Sequence, residues 1–309
     1  MEELRIGCVV MAAGCGSRFG RNKLEAVVDG KTLLRRALEA VPKQSFCRVA
    51  VVTQYDEAAA LAEKFGFDVI RNDRPEDGLS RTVHLGTEAL ADCDAILLGA
   101  VGFPGVPDHV SLRELLLPIR VGFDQYVNLR PVKLLPGLSS PIKNEKIDFV
   151  VIRENSEGEY CGRGEIQKPD TPDETVIQQS VFTRRGTERI IRYAFEYARK
   201  HGLDKVMSAT KSNALNYSMV FWDKVYREVS AAYPGMTASQ MHIDALSGYF
   251  IMHPDRLQVV VASNLFGDIL TDLGSAMLGS IGISPSANLN PEGRFPSMFE
   301  PIHGSAPDI

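Results

Sequence analysis

Residues 6–23 read IGCVVMAAGCGSRFGRNK. The first eight form a continuous apolar run with β-branched members, which suits a parallel strand buried on both faces. The run opens into a glycine-rich turn, GCGSRFG, with Arg18 inside it and Lys23 just beyond. Glycines such as Gly14 and Gly16 let backbone N–H groups approach a phosphate closely, and two nearby cations can offset triphosphate charge. The same residues also fit a tight strand-to-helix turn carrying two solvated cations.

From that strand onward, helix and strand alternate. Residues 31–41, KTLLRRALEAV, place Leu33, Leu34, Ala37, Leu38 and Val41 at helical spacing. RVAVVT (48–53) is a second buried strand, and DEAAALAEKFG predicts a helix stopped by Gly66. FDVIRN reads as a strand, RTVHLGTEALA as a helix, and DAILLGAVG (94–102) as a strand ending in small residues. Such alternation means an α/β fold with a mostly parallel sheet.

After residue 102 the pattern changes. A stretch punctuated by proline and glycine precedes a helix expected around 112–120, and QYVNLRPVKLLPG and DFVVIREN read as strands. Residues 161–175 are polar and irregular. TERIIRYAFEYARKHG predicts a long amphipathic helix with Gly202 as its stop. Strands at DKVMSAT and LQVVVASN and helices at SMVFWDKVYREVSAAY and FGDILTDLGSAML follow.

The 309 residues suit about two domains. A composition of 44% hydrophobic and 24% charged residues is that of a globular protein, not of collagen, low-complexity disorder or a disulfide scaffold. A net charge of −5 gives no basic surface for a phosphate backbone, so no nucleic-acid partner is expected. The five cysteines are scattered, without a C-x-x-C pair, which reads as reduced thiols in the cytoplasm. No run is long enough to span a bilayer, so no membrane association is expected.

The stretch A-A-G-x-G-S-R-F-G-x-x-K, from Ala12 to Lys23, resembles the signature of the nucleotidyltransferases that load molybdopterin with a nucleotide. The resemblance covers about residues 6–96. It implies an NTP site at Gly14, Gly16, Arg18 and Lys23, with Asn72, Gly78 and Ser80 where that group holds base and ribose. That family usually carries an Asp-x-Pro for its catalytic Mg²⁺. Here Gly102-Phe103-Pro104 stands instead, with no carboxylate to hold the ion.

Further along, Arg120, Arg130 and Arg153 lie in or beside apolar elements. A guanidinium there needs an anionic partner. Spacing alone fits either one di- or tricarboxylate or three separate salt bridges. Asp268 and Asp272 stand four apart in FGDILTDLG, so one helix face presents both carboxylates just past a strand end, where α/β proteins bind ligands. Hard oxygen ligands that close suit Mg²⁺ or Mn²⁺; a solvated helix face is the plainer alternative. Taken singly, Lys211, Asp244 and Tyr160 fit ordinary surface or packed residues.

Together, RENSEGEY, VFTRRGTERIIRYAFEYARK, SATKSNAL, ASNLFGDILTDLG and FEPIHGSAPDI occur in the order seen in metal-dependent β-decarboxylating dehydrogenases, a family that includes isocitrate and 3-isopropylmalate dehydrogenases. The resemblance covers about residues 94–309, and PDHVSL with FDQYVNLRP is most similar to the tartrate/D-malate branch. It implies that Arg120, Arg130 and Arg153 grip substrate carboxylates, with Ser111 near the variable end of the substrate. Asp268 and Asp272, with Asp244 of a second subunit, would hold Mg²⁺ or Mn²⁺. Lys211, also from the second subunit, would take the hydroxyl proton, and Tyr160 would protonate the product of decarboxylation. Glu300, His303, Gly304, Ser305, Ala306 and Asp308 would face the cofactor, and a carboxylate at Asp308 favours NAD over a 2′-phosphorylated dinucleotide.

The expectation is therefore an α/β protein. A Rossmann-like parallel N-terminal sheet, residues 1–96, joins an isopropylmalate-dehydrogenase-like two-domain fold lacking both ends of its large domain. Residues 97–124 and 251–309 would form that partial large domain, and 125–250 a small dimerising one. The join is expected in DAILLGAVG, which both families could supply. The implied activity is NAD- and Mg²⁺/Mn²⁺-dependent oxidative decarboxylation of D-malate or tartrate by a homodimer. Two alternatives stand beside it: nucleotidyl transfer through the N-terminal segment, and an impaired fusion that only dimerises and binds metal plus carboxylate.

Overall fold

The computed structural model describes residues 5–12, 23–25, 27–28, 30–98 and 116–302. They fall into two compact units. The first comprises the chain up to Gln125 together with Asn290–Glu300, and the second is mainly Tyr126–Leu289.

The first unit begins with β1 (Ile6–Ala12), a short antiparallel ribbon of β2 (Val27–Val28) and β3 (Lys31–Thr32), and α1 (Leu33–Glu39). The expected helix at 31–41 starts two residues late, because Lys31 and Thr32 pair with β2. The Thr32 hydroxyl then caps α1 by accepting from the Arg35 amide, at 3.2 Å. Next come β4 (Arg48–Thr53), α2 (Asp56–Lys64), β5 (Asp68–Arg71), α3 (Gly78–Glu88), β6 (Ala95–Leu97) and α4 (Leu117–Gly122). β1 lies between β4 and β6, and β4 also pairs with β5, all in parallel. Alternate residues of β1 and β4 feed two clusters. Cys8, Val10, Val49 and Val51 pack with Leu34, Leu38 and Ala62, while Val9, Met11 and Ala50 pack with Leu90 and Ile96. Packing on both faces is what the continuous apolar runs predicted, complete in β4 and partial in β1.

The second unit contains β7 (Val127–Lys133), β8 (Asp148–Glu154), β9 (Gly164–Gln167), β10 (Thr175–Gln178), α5 (Arg184–Lys200), β11 (Lys205–Thr210) and α6 (Ser218–Ser230). It continues with β12 (Thr237–His242), α7 (Ile243–Met252), β13 (Val259–Ala262), α8 (Asn264–Met277) and β14 (Pro285–Leu289). Its strand order is β12-β11-β13-β8-β7-β14. The first four run parallel, and β7 is antiparallel to both neighbours. The apolar stripe of α5, Ile190, Ile191, Ala194, Phe195 and Ala198, is fully buried, as its spacing predicted. Trp222 on α6 is also fully buried and donates its indole N–H to Ser208 Oγ at 2.9 Å.

Two features depart from the expected pattern. The stretch 161–175, expected to be irregular, carries β9 and leads into β10, an antiparallel hairpin that leaves Ile166 and Val176 exposed. β14 was not expected at all. It is held by buried amides instead of an apolar pattern: Asn128 Nδ2 donates to Ser286 Oγ (2.8 Å) and Asn288 Oδ1 (3.0 Å), and Asn155 Nδ2 donates to Asn288 Oδ1 (2.9 Å).

The chain then returns to the first unit with β15 (Ser297–Pro301), which pairs in parallel with β6 through Ser297–Ala95, Met298–Ile96 and Phe299–Leu97. Met298 is fully buried against the cluster of Val9 and Met11. The strand from the dehydrogenase-like end thus completes the sheet begun by the nucleotidyltransferase-like segment. No helix among the described residues is long and apolar enough to cross a membrane.

Candidate functional site

The charged centre of the second unit is built on α8. Ser263 ends β13 and caps the helix, its hydroxyl accepting from the Phe266 amide. The Glu159 carboxylate sits at the same helix start, accepting from Ser263 Oγ at 2.8 Å and the Leu265 amide at 3.1 Å, where negative charge is favoured. One turn in, Asp268 and Asp272 face the same side. Of the apolar residues between and beside them, Leu270 is buried but Ile269 is half exposed.

Asp268 is a shared acceptor. Its Oδ1 takes bonds from Arg153 Nη1 and, at 3.3 Å, from Arg130 Nη1; its Oδ2 takes one from the Tyr160 hydroxyl at 2.9 Å. Both guanidinium groups are buried, with side chains 6% (Arg130) and 2% (Arg153) exposed, while the Asp268 side chain stays 36% exposed. Arg130 also reaches Thr271 Oγ1 (2.6 Å), and Arg153 donates from Nε (3.1 Å) and Nη2 (2.7 Å) to Asn264 Oδ1. Such close approach of Arg153 to the helix needs a glycine: a Cβ on Gly267 would lie 2.6 Å from the Arg153 side chain.

The two readings left open for the arginines thus resolve in part. Arg130 and Arg153 share one local carboxylate, and that carboxylate keeps a solvent-facing side. Two arginines against Asp268 and Asp272 leave the group near neutrality. A dicarboxylate arriving with a divalent cation would preserve that balance.

Burial and the Asp268 charge push the Tyr160 hydroxyl up to about 12, so at neutral pH it holds its proton. Burial, then repulsion from Asp268, raises Asp272, against the pull of Arg130 and Arg153. A carboxylate held up in this way gains from a cation beside it. Among the described residues no group of three or more His, Cys, Asp or Glu could hold a metal. Asp268 and Asp272 are two hard oxygen donors of the kind that suits Mg²⁺ or Mn²⁺.

The turn that delivers Tyr160 is fastened by acids that sequence reasoning passed over. Glu154 accepts from the Ser156 amide (3.0 Å), Ser156 Oγ (2.6 Å) and the Glu157 amide (2.8 Å). Its complete burial still pushes it up to about 7. Glu157 accepts from the amide (2.9 Å) and hydroxyl (2.8 Å) of Thr183, the cap of α5. Asn264 and Thr271 were also missed. Both lie on the Asp268 face at helical spacing, a signal available in the sequence; Glu159 carried none.

Lys211 and Asp244 come to neighbouring strand ends, because β11 and β12 pair in parallel through Thr210 and His242. Lys211 Nζ lies 2.9 Å from Asp244 Oδ2, and this bond holds the Asp244 carboxyl below its usual range.

In the first unit, Arg120 on α4 and Glu300 on β15 form a buried pair at 2.8 Å, with side chains 4% and 6% exposed. Asn72 is buried, with Nδ2 donating to Thr82 Oγ1 (3.0 Å) and Oδ1 accepting from the Arg74 amide (3.1 Å). Its amide is therefore engaged within the fold. Gly14, Gly16, Arg18, Ser111, His303, Gly304, Ser305, Ala306 and Asp308, and the side chains of Lys23 and Ser80, lie outside the described residues.

Residues 72–309 match the family described as isocitrate/isopropylmalate dehydrogenase. The chain belongs to the isocitrate/isopropylmalate dehydrogenase family. Residues 8–117 match the MobA-like NTP transferase domain, so the two matches overlap over 72–117 and the expected join at 94–102 falls inside the overlap. The chain is 56% identical over 226 residues to a D-malate dehydrogenase [decarboxylating] of Escherichia coli (strain K12), covering 72% of this chain and 63% of the relative. It is 56% identical over 227 residues to a tartrate dehydrogenase/decarboxylase of Pseudomonas putida, covering 72% and 62%. A 3-isopropylmalate dehydrogenase of Thermobifida fusca is 51% identical over 225 residues, covering 72% and 64%. The chain thus spans less than two thirds of the length of these curated relatives. Among solved structures, isocitrate dehydrogenase from Methylococcus capsulatus aligns with a TM-score of 0.68 at 28% identity, covering 99% of this chain and 79% of the other. The alignment therefore includes the N-terminal segment of this member of the family. A protein from Thermus thermophilus aligns with a TM-score of 0.70 at 26% identity, covering 99% and 55%.

Proposed function

We propose that the chain catalyses oxidative decarboxylation of a small 2-hydroxy dicarboxylate, D-malate or tartrate, with NAD and Mg²⁺ or Mn²⁺, as a cytoplasmic homodimer. The observation that carries this reading is the convergence of Arg130, Arg153 and Tyr160 on Asp268, with Asp272 one turn further on. The similarity to a D-malate and a tartrate dehydrogenase supports the substrate class.

In this reading Arg130 and Arg153 turn their donors to the substrate carboxylates, with Arg120 and Ser111 as further contacts. Asp268 and Asp272 hold the cation together with Asp244 of a second copy. Glu300, His303, Gly304, Ser305, Ala306 and Asp308 would hold the dinucleotide, which would supply a hydride acceptor, while the cation held by the aspartates would supply Lewis acidity. Lys211 of the second copy takes the hydroxyl proton, and Tyr160, still protonated at neutral pH, returns a proton to the carbon that loses CO₂.

NADH formation with D-malate, tartrate and 3-isopropylmalate, with and without a chelator, tests this. Chelator-sensitive turnover with D-malate or tartrate is expected. A folded dimer inert towards all three would overturn the reading. Stabilisation by Mn²⁺ and D-malate, with none from NAD⁺, would confine the chain to binding.

The match over residues 8–117 favours a second reading, in which Gly14, Gly16, Arg18 and Lys23 bind a nucleoside triphosphate. Calorimetric titration with CTP and GTP checks it. Lys23→Ala should abolish the heat, and an unchanged affinity would remove the site.

A further inference from the structure

The first unit brings together two thiols that the chain keeps 46 residues apart: Cys47 Sγ and Cys93 Sγ lie 3.6 Å from each other. Cys47 leads into β4, its amide bonded to the Ile6 carbonyl at 2.9 Å; Cys93 sits in the turn after α3, its amide bonded to the Leu90 carbonyl at 2.9 Å. Both backbones are therefore fixed at the N-terminal end of the parallel strands, before β4 and β6. Cys47 is exposed, and Cys93 is buried with Leu90, Ile96 and Ala50. The space for the buried sulfur depends on Gly7, where a Cβ would lie 2.9 Å from it. Cys8, on neighbouring β1, packs into the other cluster with Leu34 and Leu38, so it points to the opposite face. Cys161 belongs to the second unit and donates to the Gln179 carbonyl at 3.2 Å.

We propose that Cys47 and Cys93 are a redox modification site, closing to an intramolecular disulfide when the protein meets a peroxide and reopening with a thiol reductant. The bond length is about 2.05 Å, so the sulfurs must move together by about 1.5 Å, within reach of side-chain rotation. The Cys47 thiolate attacks a peroxide oxygen. The O–O bond breaks, the leaving oxygen takes a proton to give water, and Cys47 becomes a sulfenic acid. Cys93 then attacks Cys47 Sγ; the S–S bond forms, the S–O bond breaks, and hydroxide leaves with the Cys93 proton as a second water. Each sulfur gives up one electron, and the peroxide takes two. Burial, with the neighbouring Cys47 and Asp92 adding to it and Arg5 opposing it, pushes the Cys93 thiol up to about 12. Closure should therefore quicken with rising pH.

The role does not depend on the dehydrogenase activity, and its test avoids any residue of that site. The full chain is exposed to hydrogen peroxide, alkylated, digested and mapped by mass spectrometry. A linked peptide joining Cys47 to Cys93 is expected, two hydrogens lighter than the sum and lost on reduction. The oxidised chain should melt on the order of 5 °C higher, because the bond closes a long loop in the unfolded chain. Cys47→Ser should lose both signals, and Cys93→Ser should leave Cys47 as a dimedone-reactive sulfenic acid. Overoxidation of Cys47 in the unaltered chain without that link, or pairing of either residue with Cys8, Cys15, Cys161 or a second molecule, would overturn the proposal.

Discussion

Each unit of the chain buries arginine against a carboxylate, and the two do so differently. In the first, Arg120 and Glu300 are both almost completely buried and pair directly between a helix and the strand beside β6. In the second, Arg130 and Arg153 are just as buried, yet both converge on Asp268, which keeps about a third of its side chain open. A carboxylate enclosed with its cation is geometry suited to holding elements together. A half-open carboxylate that neutralises two enclosed cations and accepts a tyrosine proton donor is geometry suited to exchanging partners with an incoming anion and a metal.

The largest test of that contrast is Asp268→Ala. Turnover should fall by about 10³-fold or more. Two buried guanidinium groups would also lose their shared anion, a destabilisation of about 3 kcal/mol. Steady-state kinetics and urea unfolding read the two effects separately, and loss of stability without loss of turnover would make Asp268 a partner of the same kind as Glu300.

Tyr160→Phe removes only a hydroxyl and should lower complete turnover by about 10²-fold, with little change in melting temperature. A first-turnover burst of NADH and CO₂ followed by slow steady-state turnover locates the loss after decarboxylation. Loss of that burst, with NADH formation slowed in the first turnover itself, would take the proton-donor role away from Tyr160.

In the first unit, Arg120→Ala or Glu300→Ala should each cost about 3 kcal/mol by stranding a buried charge, and the double variant should cost less than the sum. Arg120→Ala should also raise KM for the dicarboxylate, and an unchanged KM would confine Arg120 to its pair with Glu300.

A pH-dependent test concerns Glu154. Burial pushes its pKa in the folded protein up to about 7, above the ordinary glutamate value of 4.5, so the folded state binds more protons between those limits. Its contribution to stability is fully present below about 4.5 and is lost as pH rises through about 7. Urea unfolding at several pH values should show this slope, and Glu154→Gln should flatten it. A slope unchanged by the substitution would assign the dependence to another group.

Legibility followed the kind of force that forms each part. The strands around Val51, Val151 and Val260 are apolar runs buried on both faces, and α5 is an apolar stripe; both patterns are local and readable. β14 has a proline, a serine and an asparagine where a strand pattern wants apolar residues, and it is held by Asn128 of β7 and by Asn155 just past β8. In β15 the buried Met298 and Glu300 alternate with an exposed Phe299, which reverses the usual sense of the apolar code. At the site, the pairing of Asp268 with Asp272 was written in helical spacing. Its sharing by two arginines from different strands was not, since that depends on the register of β7 against β8. The contact of Cys47 with Cys93 was invisible for the same reason, being made by the order of strands in a parallel sheet.

The most direct test of the account is the binding of Mn²⁺ in the presence of D-malate, followed by electron paramagnetic resonance in the unaltered chain and in Asp272→Asn. The account predicts binding that needs both ligands together and weakens by more than about tenfold in the variant, or about 1.4 kcal/mol. Equal Mn²⁺ affinity in the two proteins, or no binding in either while both remain folded, would contradict it.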